Sequence, residues 1–231
     1  YVLTQAPNDG HTYLPREELI EEASKILKVE PNLIEQAIMT MAVEQSIFLE
    51  RIGDIDAVYL APFYWAEMGV CEKLIRLSMV DLSSSMDGVD EELRNFQREE
   101  GIIFAKKQRE AILESLSNGV VVITGGPGTG KTTTINCIID LFERRGLEVS
   151  LAAPTGRAAK RMTETTGREA KTIHRLLEYG GSEGDGFFQK DEDDPLTADA
   201  VIVDEMSMVD IILMNNLLKA IAIGTRFIMV G

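Results

Sequence analysis

The residues Gly125-Gly126-Pro127-Gly128-Thr129-Gly130-Lys131-Thr132 satisfy the pattern G-x-x-x-x-G-K-[ST] at every fixed position. Glycine has no Cβ, so a loop of this composition turns its backbone N–H groups inward, and a helix starting at its end adds positive partial charge. The chemistry this suits is capture of a polyphosphate. Gly125 to Gly130 would wrap it, Lys131 would neutralise β- and γ-phosphate charge, and the Thr132 hydroxyl would hold Mg²⁺, with Thr133 next to it in the same contact set. Downstream, Ala200-Val-Ile-Val-Asp204-Glu205 ends an apolar run in two carboxylates. Asp204 is suited to order the metal through its waters, and Glu205 to polarise an attacking water. Thr132 and Asp204 are the expected metal contacts, Lys131, Asp204 and Glu205 the expected catalytic set, and ATP with Mg²⁺ the expected cofactors. The plainer alternatives are a glycine-rich connecting turn and a surface cap at a strand end. The flanking elements weigh against the first and the upstream loop against the second.

These residues need a strand before the glycine loop, a helix after it, and a second strand delivering the carboxylates to the same edge. The sequence predicts that frame: a helix over 105–117, a strand over 120–124, a helix through 145, a strand over 147–154, helical segments over 157–178, an acidic Gly-rich loop over 180–199, a strand over 200–205, a helix, and a strand over 226–230. Strands separated by helices of this length imply right-handed crossovers and a parallel sheet covered on both faces. The continuous apolar character of VVVIT and AVIVD fits buried strands.

The first 80 residues read differently. Pro15 suits the first position of a helix that places Leu19, Ile20, Ala23, Ile26 and Leu27 on one face. Pro31 opens a second helix with Ile34, Ala37, Ile38 and Met41 in helical register. A hairpin turning at Gly53-Asp54 and a helix over 62–79 follow, then a linker at Asp81–Gly88 rich in Ser, Asp and Gly. The expected fold class is α/β: a P-loop parallel-sheet domain preceded by a small, mainly helical winged-helix-like or helical-hairpin domain. The expected boundaries are 1–80 for the small module, 81–100 for linker and leading helix, and 101–231 for the nucleotide-binding domain.

Composition narrows the function classes. Hydrophobic content of 45% and charged content of 26% over 231 residues are ordinary for a globular protein. No apolar run approaches the roughly 20 residues that span a bilayer, and the N-terminal residues lack a basic-then-apolar layout, so a cytoplasmic protein is expected. Cys71 and Cys137 stand far apart in helix-like contexts, as reduced core-filling thiols rather than a disulfide or zinc site. A net charge of −15 excludes a protein that coats nucleic acid with its whole surface. Residues 1–80 carry six Lys or Arg against thirteen Asp or Glu, a poor endowment for gripping duplex DNA and a better one for contacting a partner protein. Positive charge is concentrated at Arg157, Lys160, Arg161, Arg168, Lys171 and Arg175. That is either a solvated helix face or a local groove for phosphates.

Between the two phosphate motifs, Ala153-Pro-Thr-Gly-Arg-Ala-Ala-Lys-Arg-Met162 resembles motif Ia of superfamily 1 helicases, and Thr172-Ile-His-Arg-Leu-Leu177 resembles the block that follows it in the RecD/TraA-like branch. With Gln108 as a Q-motif glutamine and IVDEMSMVD as motif II, four blocks stand in family order from about residue 100 to 231. The chain is thus similar to the first motor domain of RecD-like 5′→3′ DNA helicases, the family of the exodeoxyribonuclease V alpha subunit. The resemblance implies a RecA-like fold, ATP-driven unwinding in recombination or repair, single-stranded DNA as partner, and other helicase–nuclease subunits as possible partners of residues 1–80. It puts adenine at Gln108, phosphates at Gly125 to Thr132, and single-stranded DNA at Thr155, Gly156, Arg157, Lys160 and Arg161. His174 belongs either to the same set or to a half-buried structural position. Ser207, in the motif II block, either couples the metal site to motif III or, the preferred reading, caps the helix that follows it.

The pattern departs from the family after Gly231, where the Gly-Asp-x-x-Gln block and a second motor domain with its arginine finger would follow. Loss of such an arginine costs roughly 10³ to 10⁵ in rate, so this polypeptide alone is expected to hydrolyse ATP hardly at all. Two other readings stand beside the motor: a P-loop small-molecule kinase and a non-catalytic nucleotide-binding adaptor.

Overall fold

A computed structural model describes residues 1–82, 86–180 and 187–231. The chain separates into two compact units, Tyr1–Cys71 and Glu72–Gly231. The linker expected at 81–88 lies in the second, and its Ser83–Ser85 fall outside the described residues.

In the first unit, α1 (Val2–Gln5) and a 3₁₀ turn lead to β1 (Tyr13–Pro15), α2 (Arg16–Leu27), α3 (Pro31–Val43), β2 (Ile47–Ile52), β3 (Ile55–Leu60) and the start of α4 (Ala61–Ser78). The expected helix–helix–hairpin order is present, and β1 adds a third strand to an antiparallel sheet of order β1-β3-β2. Pro15 is not the first helical residue: it ends β1 and sits at the N-cap of α2 with ψ 137°. Leu14 and Pro15 are drawn into the sheet by pairing with Val58 and Ala57, which overrides the helix-start preference of proline. The expected apolar face of α2 is only partly buried. Leu19 and Ala23 join Leu3, Leu14, Ile34, Ile38, Ile47 and Val58 in the core, while Ile26 and Leu27 are 55% and 63% exposed. Three helical turns touch a sheet of three short strands, too small to cover the whole stripe.

The second unit contains α5 (Val89–Glu100), α6 (Lys106–Ser117), β4 (Val120–Ile123), α7 (Lys131–Arg144), β5 (Val149–Ala153), α8 (Gly156–Thr166), β6 (Ala170–Thr172), α9 (Ile173–Leu176), β7 (Tyr179–Gly180), β8 (Phe187–Phe188), β9 (Ala200–Val203), α10 (Ile211–Lys219) and β10 (Arg226–Val230). Five parallel strands form one sheet of order β4-β10-β9-β5-β6. Residues Ala200–Val203 and Phe227–Ile228 are almost fully buried, as central strands covered on both faces require. Ile112, Leu116, Ile135, Cys137, Ile138 and Phe142 share one core with Leu151, Ile202 and Ile228 of the sheet. β4 is an edge strand and Val122 on it is 62% exposed. At the entrance to β4, a Cβ on Gly119 would lie 2.0 Å from the Leu77 carbonyl oxygen, so only glycine lets that backbone approach.

Two expectations are corrected. The 157–178 segment is not continuously helical: Ala170-Lys-Thr172 pairs with Leu151–Ala153 as β6. Three residues with a lysine in the middle carry no apolar run, so the strand has no signature of its own. The described part of the 180–199 loop is not wholly irregular. Phe187 and Phe188 pair with Tyr179 and Gly180, the Asp191 carboxylate accepts from the Asp193 and Asp194 N–H groups, and Leu196 and Ala198 are buried. Glu183 and Asp185 of this acidic loop lie outside the described residues. No helix among the described residues is long and apolar enough to cross a membrane.

Candidate nucleotide and nucleic-acid site

The glycine loop joins β4 to α7, and its start is pinned to the sheet: the Gly231 N–H donates to Ile123 O, and the Gly125 N–H to Gly231 O, at 3.1 and 3.3 Å. Gly128 and Gly130 take φ of 76° and 78°, the left-handed region that residues with a Cβ enter at a cost. Thr129 ties the loop internally by donating from its hydroxyl to Gly126 O at 2.9 Å. No protein acceptor among the described residues pairs with the N–H of Gly128, Gly130, Lys131, Thr132 or Thr133. Open space lies where a Cβ on Gly126 or Gly128 would stand. Unsatisfied donors converging on a helix start, with no side chain in the way, suit a polyphosphate. Pro127 is exposed and borders the cavity that holds Thr132.

Lys131 folds back over this loop, donating from Nζ to the Gly125 carbonyl and, at 3.3 Å, to that of Gly126. Its ammonium stands at the cradle rather than in solvent. Gln108 reaches the same loop from α6. Its Oε1 accepts from the Ala105 N–H at 2.8 Å, closing the start of α6, and its Nε2 donates to Thr129 O at 2.9 Å. A Cβ on Gly130 would approach that Nε2 to 2.3 Å, so the glutamine rests against the loop. The side chain expected to read adenine is already a strut between α6 and the glycine loop. A cavity of about 430 Å³ opens beside it, walled by Lys107, Gln108, Val122, Thr124, Thr129 and Lys131.

On the other side of the loop, a second cavity of about 280 Å³ brings Lys131 and Thr132 together with Asp204, Glu205 and Ser207. Asp204 and Glu205 follow directly on β9 at the carboxyl edge of the parallel sheet, where such sheets present residues to ligands. Asp204 Oδ1 accepts from the Glu205 N–H at 2.9 Å. Glu205 itself has φ 55°, ψ 42°, a left-handed conformation uncommon outside glycine. The oxygen-bearing Thr132 and Asp204 suit a hard cation such as Mg²⁺. Ser207 lies in the 3₁₀ turn Met206–Met208 beside these carboxylates and does not cap the next helix. That role falls to Asp210, whose Oδ1 accepts from the Leu213 N–H at 2.8 Å.

A third cleft, walled by Thr155, Arg157, Arg161, Glu205 and Met208, adjoins the second and shares Arg161, Glu205 and Met208 with it. Thr155 is the N-cap of α8, its hydroxyl oxygen accepting from the Ala158 N–H at 3.2 Å. Gly156 opens that helix with an exposed backbone. Lys160 points off the same helix and pairs with Glu164 at 3.9 Å. Arg168 is engaged elsewhere, forming a bidentate pair with Glu143 at 2.8 and 2.5 Å that holds its guanidinium pKa above the usual value. His174 is not drawn into either cleft. It is exposed and packs its ring 5.7 Å from Tyr179 and 5.7 Å from Phe188. Met208 and the Arg161–Glu205 pairing had no sequence signal: one is an apolar residue inside the motif II block, the other joins residues from separate blocks.

The AAA domain family matches residues 108–231. The ATP-dependent RecD2 DNA helicase of Deinococcus radiodurans is 36% identical over 96% of this chain, and the match spans 31% of that protein. RecBCD enzyme subunit RecD of Mycobacterium tuberculosis is 38% identical over 54% of this chain and 25% of its own length. The chain therefore spans no more than about a third of either relative. A solved structure of DNA unwinding at forked duplex DNA by two coordinating Pif1 helicases aligns at 25% identity over 56% of this chain and 33% of that one, with a TM-score of 0.41, too low to bear on the fold. The chain belongs to the AAA domain family and is homologous to the RecD and RecD2 helicases.

Proposed function

We infer that this chain is the nucleotide-binding motor segment of an ATP-dependent DNA helicase, with residues 101–231 as the first motor domain and residues 1–80 as a small accessory module. The observation that carries the reading is the shared wall of the second and third clefts: the phosphate loop and the Asp204–Glu205 pair face one cavity, and the motif Ia arginines face the next. The donors of Gly128 to Thr133 would receive the phosphates, Lys131 would exchange its loop carbonyls for phosphate oxygens, and Gln108 would hold the loop while lining the space for the base. Thr132 and Asp204 would hold Mg²⁺, which when bound neutralises charge on the phosphates. Glu205 would orient the attacking water and accept its proton.

The Thr155–Arg157–Arg161 cleft would grip the sugar-phosphate backbone of one DNA strand without reading bases, the sequence-tolerant contact a translocating motor needs. Movement in the 5′→3′ sense and action in recombination or repair rest on the relationship to RecD-type helicases, as does a cytoplasmic location. Association of residues 1–80 with further subunits rests on their acidic, partly apolar surface and on one relative being a subunit of RecBCD. In the full-length protein, Lys131→Ala is expected to lose nucleotide binding, whereas Glu205→Gln keeps it and abolishes turnover. Displacement of a duplex bearing a 5′ tail but not a 3′ tail checks the polarity. ATP turnover indifferent to single-stranded DNA, together with phosphorylation of a small metabolite, would favour the kinase reading instead.

A further inference from the structure

Arg161 stands on α8 at the wall common to the phosphate-side cavity and the motif Ia cleft, and its guanidinium lies 3.9 Å from Glu205 Oε1. Its side chain is 73% exposed and that of Glu205 38%, so the pair is open to solvent and open to competition. Arg157, one helical turn earlier and roughly 5–6 Å away at Cβ, lines the same cleft and makes no ion pair among the described residues. A phosphodiester drawn in by Arg157 therefore has a second cation within reach, and that cation is the one holding Glu205. Glu205 is the carboxylate placed to orient water, and it is held in a strained left-handed backbone conformation.

We propose that the Arg161–Glu205 ion pair is a latch that restrains Glu205 when the cleft is empty, and that a nucleic-acid phosphate in the cleft takes Arg161 and releases Glu205. The inference rests on the nucleotide and DNA reading given above and specifies how the two sites communicate. Arg161 is a positioning residue: it acts on water only through Glu205. Because coupling is reciprocal, Glu205 must oppose nucleic-acid binding by as much as the strand releases Glu205. An exposed pair of this kind is weak, so each effect is about two- to fivefold.

The test measures binding of a fluorescein-labelled oligothymidylate to the full-length protein by anisotropy, without nucleotide, across a double-mutant cycle. Glu205→Gln is expected to tighten binding about two- to fivefold, and Arg161→Ala to weaken it. In the Arg161→Ala background Glu205→Gln should then change little. Arg161→Lys, which keeps the cation, should retain the coupling, and unchanged melting temperatures confirm that this exposed site leaves the fold intact. As a second readout, Arg161→Ala should raise ATP turnover without oligonucleotide about two- to fivefold and lower the stimulation by oligonucleotide. Equal tightening by Glu205→Gln in both backgrounds would mean simple charge repulsion and overturn the latch while leaving the motor reading in place. Failure of the unmodified protein to bind the oligonucleotide would overturn both.

Discussion

Gln108 illustrates how a side chain assigned to a ligand can first serve the ligand-free fold. Its amide spans the Ala105 N–H and the Thr129 carbonyl. Removing both hydrogen bonds by Gln108→Ala should cost about 1–2 kcal/mol in urea unfolding without nucleotide. A residue that only touched adenine would leave that stability unchanged. Cys137 makes a second residue-level prediction. It is fully buried, and burial pushes its thiol from 9.0 up to about 12. Below the lower value both folded and unfolded chains hold the proton. Between the two values only the folded chain does, so stability falls as pH rises through this window. Cys137→Ala should lower stability at neutral pH by leaving a cavity, yet flatten the alkaline decline. Under native conditions a thiol reagent should titrate exposed Cys71 alone, and both cysteines after unfolding. The sequence reads both thiols as core-filling; Cys137 is buried, but Cys71 on α4 is exposed, because a helix-like context alone does not say which face is covered. It could not distinguish which one is sealed, since that depends on α6 and the sheet closing over α7.

Among the elements, those with a strong internal period were readable and those defined by a neighbour were not. β4 and β9 are uninterrupted apolar runs, and α6 and α7 follow the helical repeat, so the frame that carries Lys131, Thr132, Asp204 and Glu205 could be placed without coordinates. β1 and β6 are three residues each, and β7 and β8 two each; they exist only because Val58, Leu151 and Tyr179 offer them backbone partners. Caps were misassigned for a related reason, since a serine and an aspartate in one short segment compete and only the turn geometry decides between Ser207 and Asp210. Thr155 is the cap with functional weight. Thr155→Val keeps the shape and loses the hydroxyl, so α8 should fray at its first turn at a cost of about 1 kcal/mol. Because that turn carries Arg157, oligonucleotide binding should weaken together with thermal stability; weakened binding at unchanged stability would assign the hydroxyl to the strand rather than to the helix.

For the molecule as a whole, a charge of −15 sets the terms on which a polyanion can approach. The α8 face clusters Arg157, Lys160 and Arg161, and Arg168 is engaged by Glu143 instead. If Arg157, Lys160 and Arg161 are the phosphate contacts, the slope of log affinity against log salt for this chain should be about −2, from roughly 0.7 per contact on a single strand. Arg157→Ala should bring it close to −1.4. A steep slope would require cations outside this face.

The edge position of β4 has a consequence for handling the chain by itself. Its outer side carries no strand among the described residues, and Val122 beside the 430 Å³ cavity is 62% exposed. An edge strand with an exposed apolar side chain is a template for another extended segment, so the isolated polypeptide should self-associate as its concentration rises despite its like-charged surface. Sedimentation velocity over a dilution series should show this, and a lysine replacing Val122 should keep the particles single.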